Sequence, residues 1–134
     1  MARVRDVGID EVPDDVKPTY KRFSEEYGPF LNQVKVFAHR PVAVKHIQGL
    51  LLELAQEAVL SKRDLEIALV TVSKLNECAY CVTHHAPRLV DQGISADTAD
   101  RILKETPPGF SERDKLVRDY ARAVTEKPQY IRDQ

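Results

Sequence analysis

Leu60 to Ser95 reads LSKRDLEIALVTVSKLNECAYCVTHHAPRLVDQGIS, and the spacing within it decides the fold. Ser61 and Asp64 stand in capping-box register, with Asp in place of the usual Glu. The apolar residues that follow wrap most of a helical cylinder, which predicts the most buried helix of the chain. Asn76 either ends that helix or caps a second one that begins at the cysteines. Ser95 is placed to cap a further helix over GISADTADRILKE.

Helix signals continue on both sides. VPDDVKPTYKRFSEEYG has acidic starters at Asp14 and Asp15 and a stop at Gly28-Pro29. FLNQVKVFAH ends before Pro41, because the residue preceding a proline is pushed out of the helical region. From Val42, the residues Val44, Ile47, Leu51, Leu54 and Ala58 recur at steps of three and four, predicting one apolar stripe with Gly49 as its weak point. Downstream, Pro107-Pro108-Gly109 breaks the chain, and FSERDKLVRDYARAVTEK forms a last helix that stops before Pro128. LSKRD at 60–64 and FSERD at 110–114 share one helix-start chemistry fifty residues apart. The match ends after five residues, so it reads as two similar caps and not as a duplicated domain. No alternating strand pattern stands out. The expected fold is all-α, a single-domain helical bundle over 1–134 with about six or seven helices and short connections.

Composition excludes several classes of function. Twenty basic residues balance 21 acidic ones among 134, with no block of like charge, which argues against a nucleic-acid or membrane-attracted surface. EIALVTV is the most apolar run, far short of the roughly 20 residues of a membrane span. The N-terminus has acids at Asp6, Asp10 and Glu11 and no apolar stretch, so a cytoplasmic location is expected. A lone Cys-x-x-Cys there reads as catalytic or metal-binding before it reads as a structural staple.

In a helix running on from Asn76, Cys78, Cys81 and His85 fall at i, i+3 and i+7, on one face, while His84 points away. With Asn76 as N-cap, Cys78 sits in the first turn, where free N–H groups and the helix dipole favour a thiolate. His85, one turn beyond Cys81, is in reach to take its proton. Such a dithiol can attack, pass through a mixed intermediate and close to a disulfide. Glu66 lies among apolar neighbours, where a buried carboxylate needs a partner. A relay from Glu66 through His85 to Cys81 would supply one. From the residues alone the cysteines remain a redox pair, half of a zinc site or two small core residues. His39 and His46 receive no role.

Glu66, Cys78, Cys81 and His85 also carry a resemblance. Their spacing, within LSKRDLEIALVTVSKLNECAYCVTHHAPRLVDQGIS, is similar to the core of the AhpD-like alkylhydroperoxidase branch of the carboxymuconolactone decarboxylase superfamily. GPFLNQVKVFAHRPVAVKHIQGL is similar to its peroxidase-related members, and the resemblance covers about residues 28–125. It implies an AhpD-like helical fold assembled as a homotrimer or homohexamer, and a Cys-based antioxidant oxidoreductase acting on hydroperoxides or disulfides. Catalysis would then rest on Cys78, Cys81, His85 and Glu66. Cys81 attacks the peroxide and Cys78 resolves it to a redox-active Cys78–Cys81 disulfide. No bound cofactor or metal is implied. The expected partners are a small hydroperoxide and an external dithiol reductant, either a lipoyl group on a partner protein or a thioredoxin-like protein, with no nucleic acid and no membrane.

Two departures bear on this. Tyr80 stands where the founding peroxidases carry His, and the chain stops at Gln134 where many relatives continue, which implies a changed reductant, assembly or pocket. The competing readings are a non-catalytic redox-sensing oligomer and a decarboxylase-like protein without peroxidase activity. The apolar helix at 64–75, with few other helices to cover it, adds an independent expectation of a homo-oligomer.

Overall fold

The computed structural model describes residues 3–131, and all of their regular structure is helical, as the sequence predicts. No helix among them is long and apolar enough to cross a membrane. The chain divides into two compact units, Met1–Val59 and Leu60–Gln134.

In the first unit, α1 (Lys17–Glu26) begins with Pro18 in its first turn, where a missing N–H costs no helical bond. Asp14 and Asp15 do not cap it. They pair instead with Lys17 and Lys45, each at 2.7 Å, and Val16 occupies the N-cap. A turn at Gly28–Phe30 leads into α2 (Leu31–Phe37). The N-terminal segment lies along these helices, with the Val7 N–H donating to the Lys35 carbonyl and the Tyr20 hydroxyl donating to the Val7 carbonyl. Val7, Val12, Val16, Tyr20, Phe23, Phe30, Val34, Val44 and Leu52 form the core.

The third helix, α3 (41–57), corrects the expected apolar stripe. Pro41–Ala43 runs into a π-turn at Val44–Gln48 before the α-helix resumes at Gly49–Glu57. The extra residue in the wide turn rotates everything beyond it relative to a regular 3.6-residue repeat. The buried face becomes Val44, Gln48 and Leu52, while Ile47, Leu51 and Leu54 are 47%, 40% and 51% exposed. Ala58 ends the helix in the left-handed region at φ 49°.

The second unit contains α4 (Lys62–Leu75), α5 (Ala79–Asp91), α6 (Ala96–Asp100) and α7 (Glu112–Glu126). Counting 41–57 as one helix, the described residues form seven α-helices. Ile67, Val70, Leu89, Ile94, Ala99, Ile102 and Phe110 make the core, with α4 packed against both α5 and α7. Gly109, at φ 73°, makes the turn before α7 that a side chain would strain.

The LSKRD/FSERD echo has a structural meaning. Ser61 caps α4 by accepting the Asp64 N–H at 3.0 Å, and Ser111 caps α7 in a full capping box with Asp114. The two helix starts then exchange charges. Arg63 donates from Nε and Nη2 to the two Asp114 oxygens, both at 2.8 Å, and Arg113 donates to Asp64 at 2.7 Å. Each five-residue segment thus supplies a cap, a cation for the other helix and an anion that receives one. The three residues the segments share, Ser, Arg and Asp, suffice for this reciprocal clamp, so the similarity has no reason to extend further.

Candidate functional site: a disulfide beside a glutamate–histidine pair

The connection between α4 and α5 takes only three residues. Asn76 closes α4, and Glu77 turns the chain through the left-handed region at φ 52°. The Cys78 N–H then donates back to the Ser73 carbonyl at 2.9 Å. Asn76 is therefore not the N-cap of α5. Cys78 holds that place, its Sγ accepting the Cys81 N–H at 3.3 Å as a capping oxygen would. The consequence for the chemistry is small but specific. Cys78 stands at the cap and Cys81 at the third helical position, so both sulfurs lie at the end of a thirteen-residue helix where free N–H groups favour negative charge.

Cys78 and Cys81 are joined as a disulfide with Cα atoms 5.3 Å apart, and both residues are half-buried. Closing a ring across one helical turn requires little of the backbone, because i and i+3 already share a face. Among the described residues no group of three or more His, Cys, Asp or Glu side chains converges to hold a metal.

Glu66 is 7% exposed in the second turn of α4, and its Oε2 lies 2.8 Å from His85 Nδ1 on α5. The Glu66 side chain thus faces α5 instead of snorkelling to solvent. The His85 ring is held on the stripe that Cys81 begins one turn earlier. Arg88 completes the cluster, its guanidinium 3.8 Å from the other Glu66 oxygen. Sequence reading missed Arg88, although its place three residues after His85 puts it on the same face. Pro87, between them, has no N–H to give the Thr83 carbonyl, which loosens the ladder at this turn.

The two histidines separate as expected. His84 lies away from Glu66 and meets the Tyr80 ring edge-on, with centroids 4.4 Å apart. Burial pushes the Tyr80 phenol up, so it stands as a neutral hydroxyl beside the disulfide turn. A cleft of about 790 Å³ borders the same turn on the other side, lined by Ser73, Lys74, Glu77, Ala79, Val82 and Thr83 among others. Ala79, Val82 and Thr83 lie on the face of α5 opposite Cys81, His85 and Arg88.

The constellation is a dithiol/disulfide pair at a helix N-terminus with a carboxylate-anchored imidazole one turn away. A model of the carboxymuconolactone decarboxylase family matches residues 41–114, more than half of the chain. The chain belongs to the carboxymuconolactone decarboxylase family. That family is all-helical, in agreement with the fold. The match includes Glu66, Cys78, Cys81, His85 and Arg88, and it is narrower than the resemblance read over 28–125. No curated protein and no solved structure matches the chain.

Proposed function

We propose that this family member is a dithiol-dependent reductase of small hydroperoxides. The observation that carries the reading is the 2.8 Å contact between Glu66 and His85, one helical turn from a reducible disulfide. A family member that only decarboxylated would have no use for that disulfide beside a histidine base.

The cycle begins with both cysteines reduced. His85 accepts the Cys81 proton, with Glu66 stabilising the charge that appears on the ring. The Cys81 thiolate attacks an oxygen of ROOH. An S–O bond forms as the O–O bond breaks, and the alkoxide leaves as the alcohol with a proton returned through His85. Cys81 is now a sulfenic acid. Cys78 attacks its sulfur, the S–S bond forms, and hydroxide leaves as water. An external dithiol then delivers two electrons and two protons through a mixed disulfide and becomes a disulfide itself. A dihydrolipoyl group on a partner protein suits this step, because its two thiols close intramolecularly; a thioredoxin-like protein is the other dithiol of the right class. The reducing supply fits a cytoplasmic site of action.

Glu66→Gln tests the relay. With dihydrolipoamide as reductant, its kcat/KM for an organic hydroperoxide is expected to fall by about 10²-fold, the usual worth of general-base assistance. Equal rates for the variant and the wild type would remove the relay from the mechanism.

We also propose that the protein works as a homo-oligomer, a trimer or hexamer. The apolar surface on which this rests is not that of α4, whose Ile67 and Val70 are covered within its own unit. It is the stripe on α3 that the π-turn leaves outside, Ile47, Leu50, Leu51 and Leu54. Leu54→Asp is expected to lower the mass seen by light scattering to that of one chain. An unchanged assembly would place the interface elsewhere.

A further inference from the structure

We infer that Arg88 is a positioning residue that selects the proton arrangement of the Glu66–His85 pair. The contact between Glu66 Oε2 and His85 Nδ1 is compatible with three arrangements. An ionised Glu66 accepts from Nδ1–H while Nε2 is bare. A protonated Glu66 donates to a bare Nδ1 while Nε2 carries the hydrogen. An ionised Glu66 faces an imidazolium with both nitrogens protonated. Only the first leaves a lone pair on Nε2 that can accept a proton from a thiol.

Arg88 discriminates among them through charge. Its guanidinium stays protonated, and it lies 3.8 Å from Glu66 Oε1, the oxygen His85 does not use. A permanent cation there favours the ionised carboxylate, which disfavours the second arrangement. It also repels a second positive charge on the ring, which disfavours the third. The Glu66 side chain is buried and that of Arg88 is 30% exposed, so solvent screens the pair only in part. The first arrangement remains because Arg88 neutralises Glu66 without consuming the base.

The use of that bare nitrogen in turnover rests on the reading of the protein as a hydroperoxide reductase; the proton arrangement itself does not. The test therefore begins with the disulfide form, in which neither cysteine titrates. The ¹⁵N signals of the His85 ring, assigned by their loss in His85→Asn, report at pH 7 which nitrogens carry hydrogen. The wild type is expected to show Nδ1 protonated and Nε2 bare. Arg88→Gln should raise the Nε2-protonated population about tenfold, and Arg88→Lys should restore the wild-type pattern.

In the reduced protein at pH 7, Cys81 alkylation should slow about tenfold in Arg88→Gln and recover in Arg88→Lys. Unchanged ¹⁵N signals in Arg88→Gln would overturn the inference, even with a lower Tm, since a purely structural arginine affects only stability. Failure of the lysine variant to restore the signals would overturn it equally. Altered ¹⁵N signals in a protein whose wild type consumes no hydroperoxide would uphold the inference and refute the proposed function.

Discussion

Cys81→Ser is expected to abolish hydroperoxide turnover, with a loss of at least about 10³-fold against the reduced wild type. The attacking species is a thiolate, and a serine hydroxyl at the third position of α5 offers neither comparable nucleophilicity nor access to a sulfenic acid. The fold should survive. The bridge spans one helical turn, and in the chain-entropy model so short a loop stabilises by only about 2 kcal/mol. Cys78→Ser separates the roles, since it retains the attacking sulfur and lacks the resolving one. It should consume one equivalent of hydroperoxide per chain, stop as the Cys81 sulfenic acid, and yield a dimedone adduct. Equal turnover by Cys81→Ser and wild type would show that peroxide reduction, if present, does not use this sulfur.

The second large effect is on stability. Asp114→Ala is expected to lower unfolding free energy by about 3 kcal/mol, the lower end of what breaking a buried ion pair costs. The Asp114 carboxylate is 3% exposed and receives both Arg63 donors at 2.8 Å as well as the Ser111 N–H at 2.8 Å. Its removal leaves the Arg63 guanidinium with the Gln92 carbonyl in place of its anion and takes the reciprocal half of the α7 capping box away in one step. For a chain of this length the loss corresponds to a Tm about 10 °C lower in a calorimetric scan. An exposed pair such as Lys21–Glu25, 4.0 Å apart, should change it by little when broken. A Tm within about 2 °C of wild type in Asp114→Ala would reduce the clamp to decoration.

The same pair sets an acid dependence. The Arg63 hydrogen bonds, with the Ser111 backbone, hold the Asp114 carboxyl well below the usual carboxylate range, and the Arg113 hydrogen bonds lower Asp64. A folded-state value lowered below the unfolded one stabilises the fold above the unfolded value of about 3.9. That stabilisation is lost as pH falls from about 4 through the depressed folded values. The gap in stability between wild type and Asp114→Ala should therefore be widest above pH 4 and close progressively below it.

Much of this molecule is legible in its sequence, and the exceptions have physical reasons. Ser61, Ser95 and Ser111 were readable as caps because a side-chain oxygen ahead of an apolar run has few other uses. The all-helical class followed from periodicity. The α3 stripe failed because periodicity assumes 3.6 residues per turn, and nothing in VKHIQ announces a wider turn. Of the two places the sequence leaves open for Asn76, it takes the end of α4, and the left-handed Glu77 moves the start of α5 on to Cys78, a residue type that does not announce a cap. The reciprocal Arg–Asp clamp was present as a five-residue echo, but only the approach of α4 to α7 gives the echo its purpose. At the site, spacing brought out Glu66, Cys78, Cys81 and His85, and the structure places Glu66 against His85. Arg88 carries no signal beyond its register.

The central claim is that Cys78 and Cys81 form a peroxide-oxidisable dithiol. It is tested most directly by adding one equivalent of an organic hydroperoxide to the fully reduced protein and counting thiols over time. The expected result is loss of both thiols per chain, one alcohol formed for each hydroperoxide consumed, and a Cys78–Cys81 linkage by peptide mass spectrometry. Persistence of both thiols in folded protein while the hydroperoxide remains intact would contradict the account.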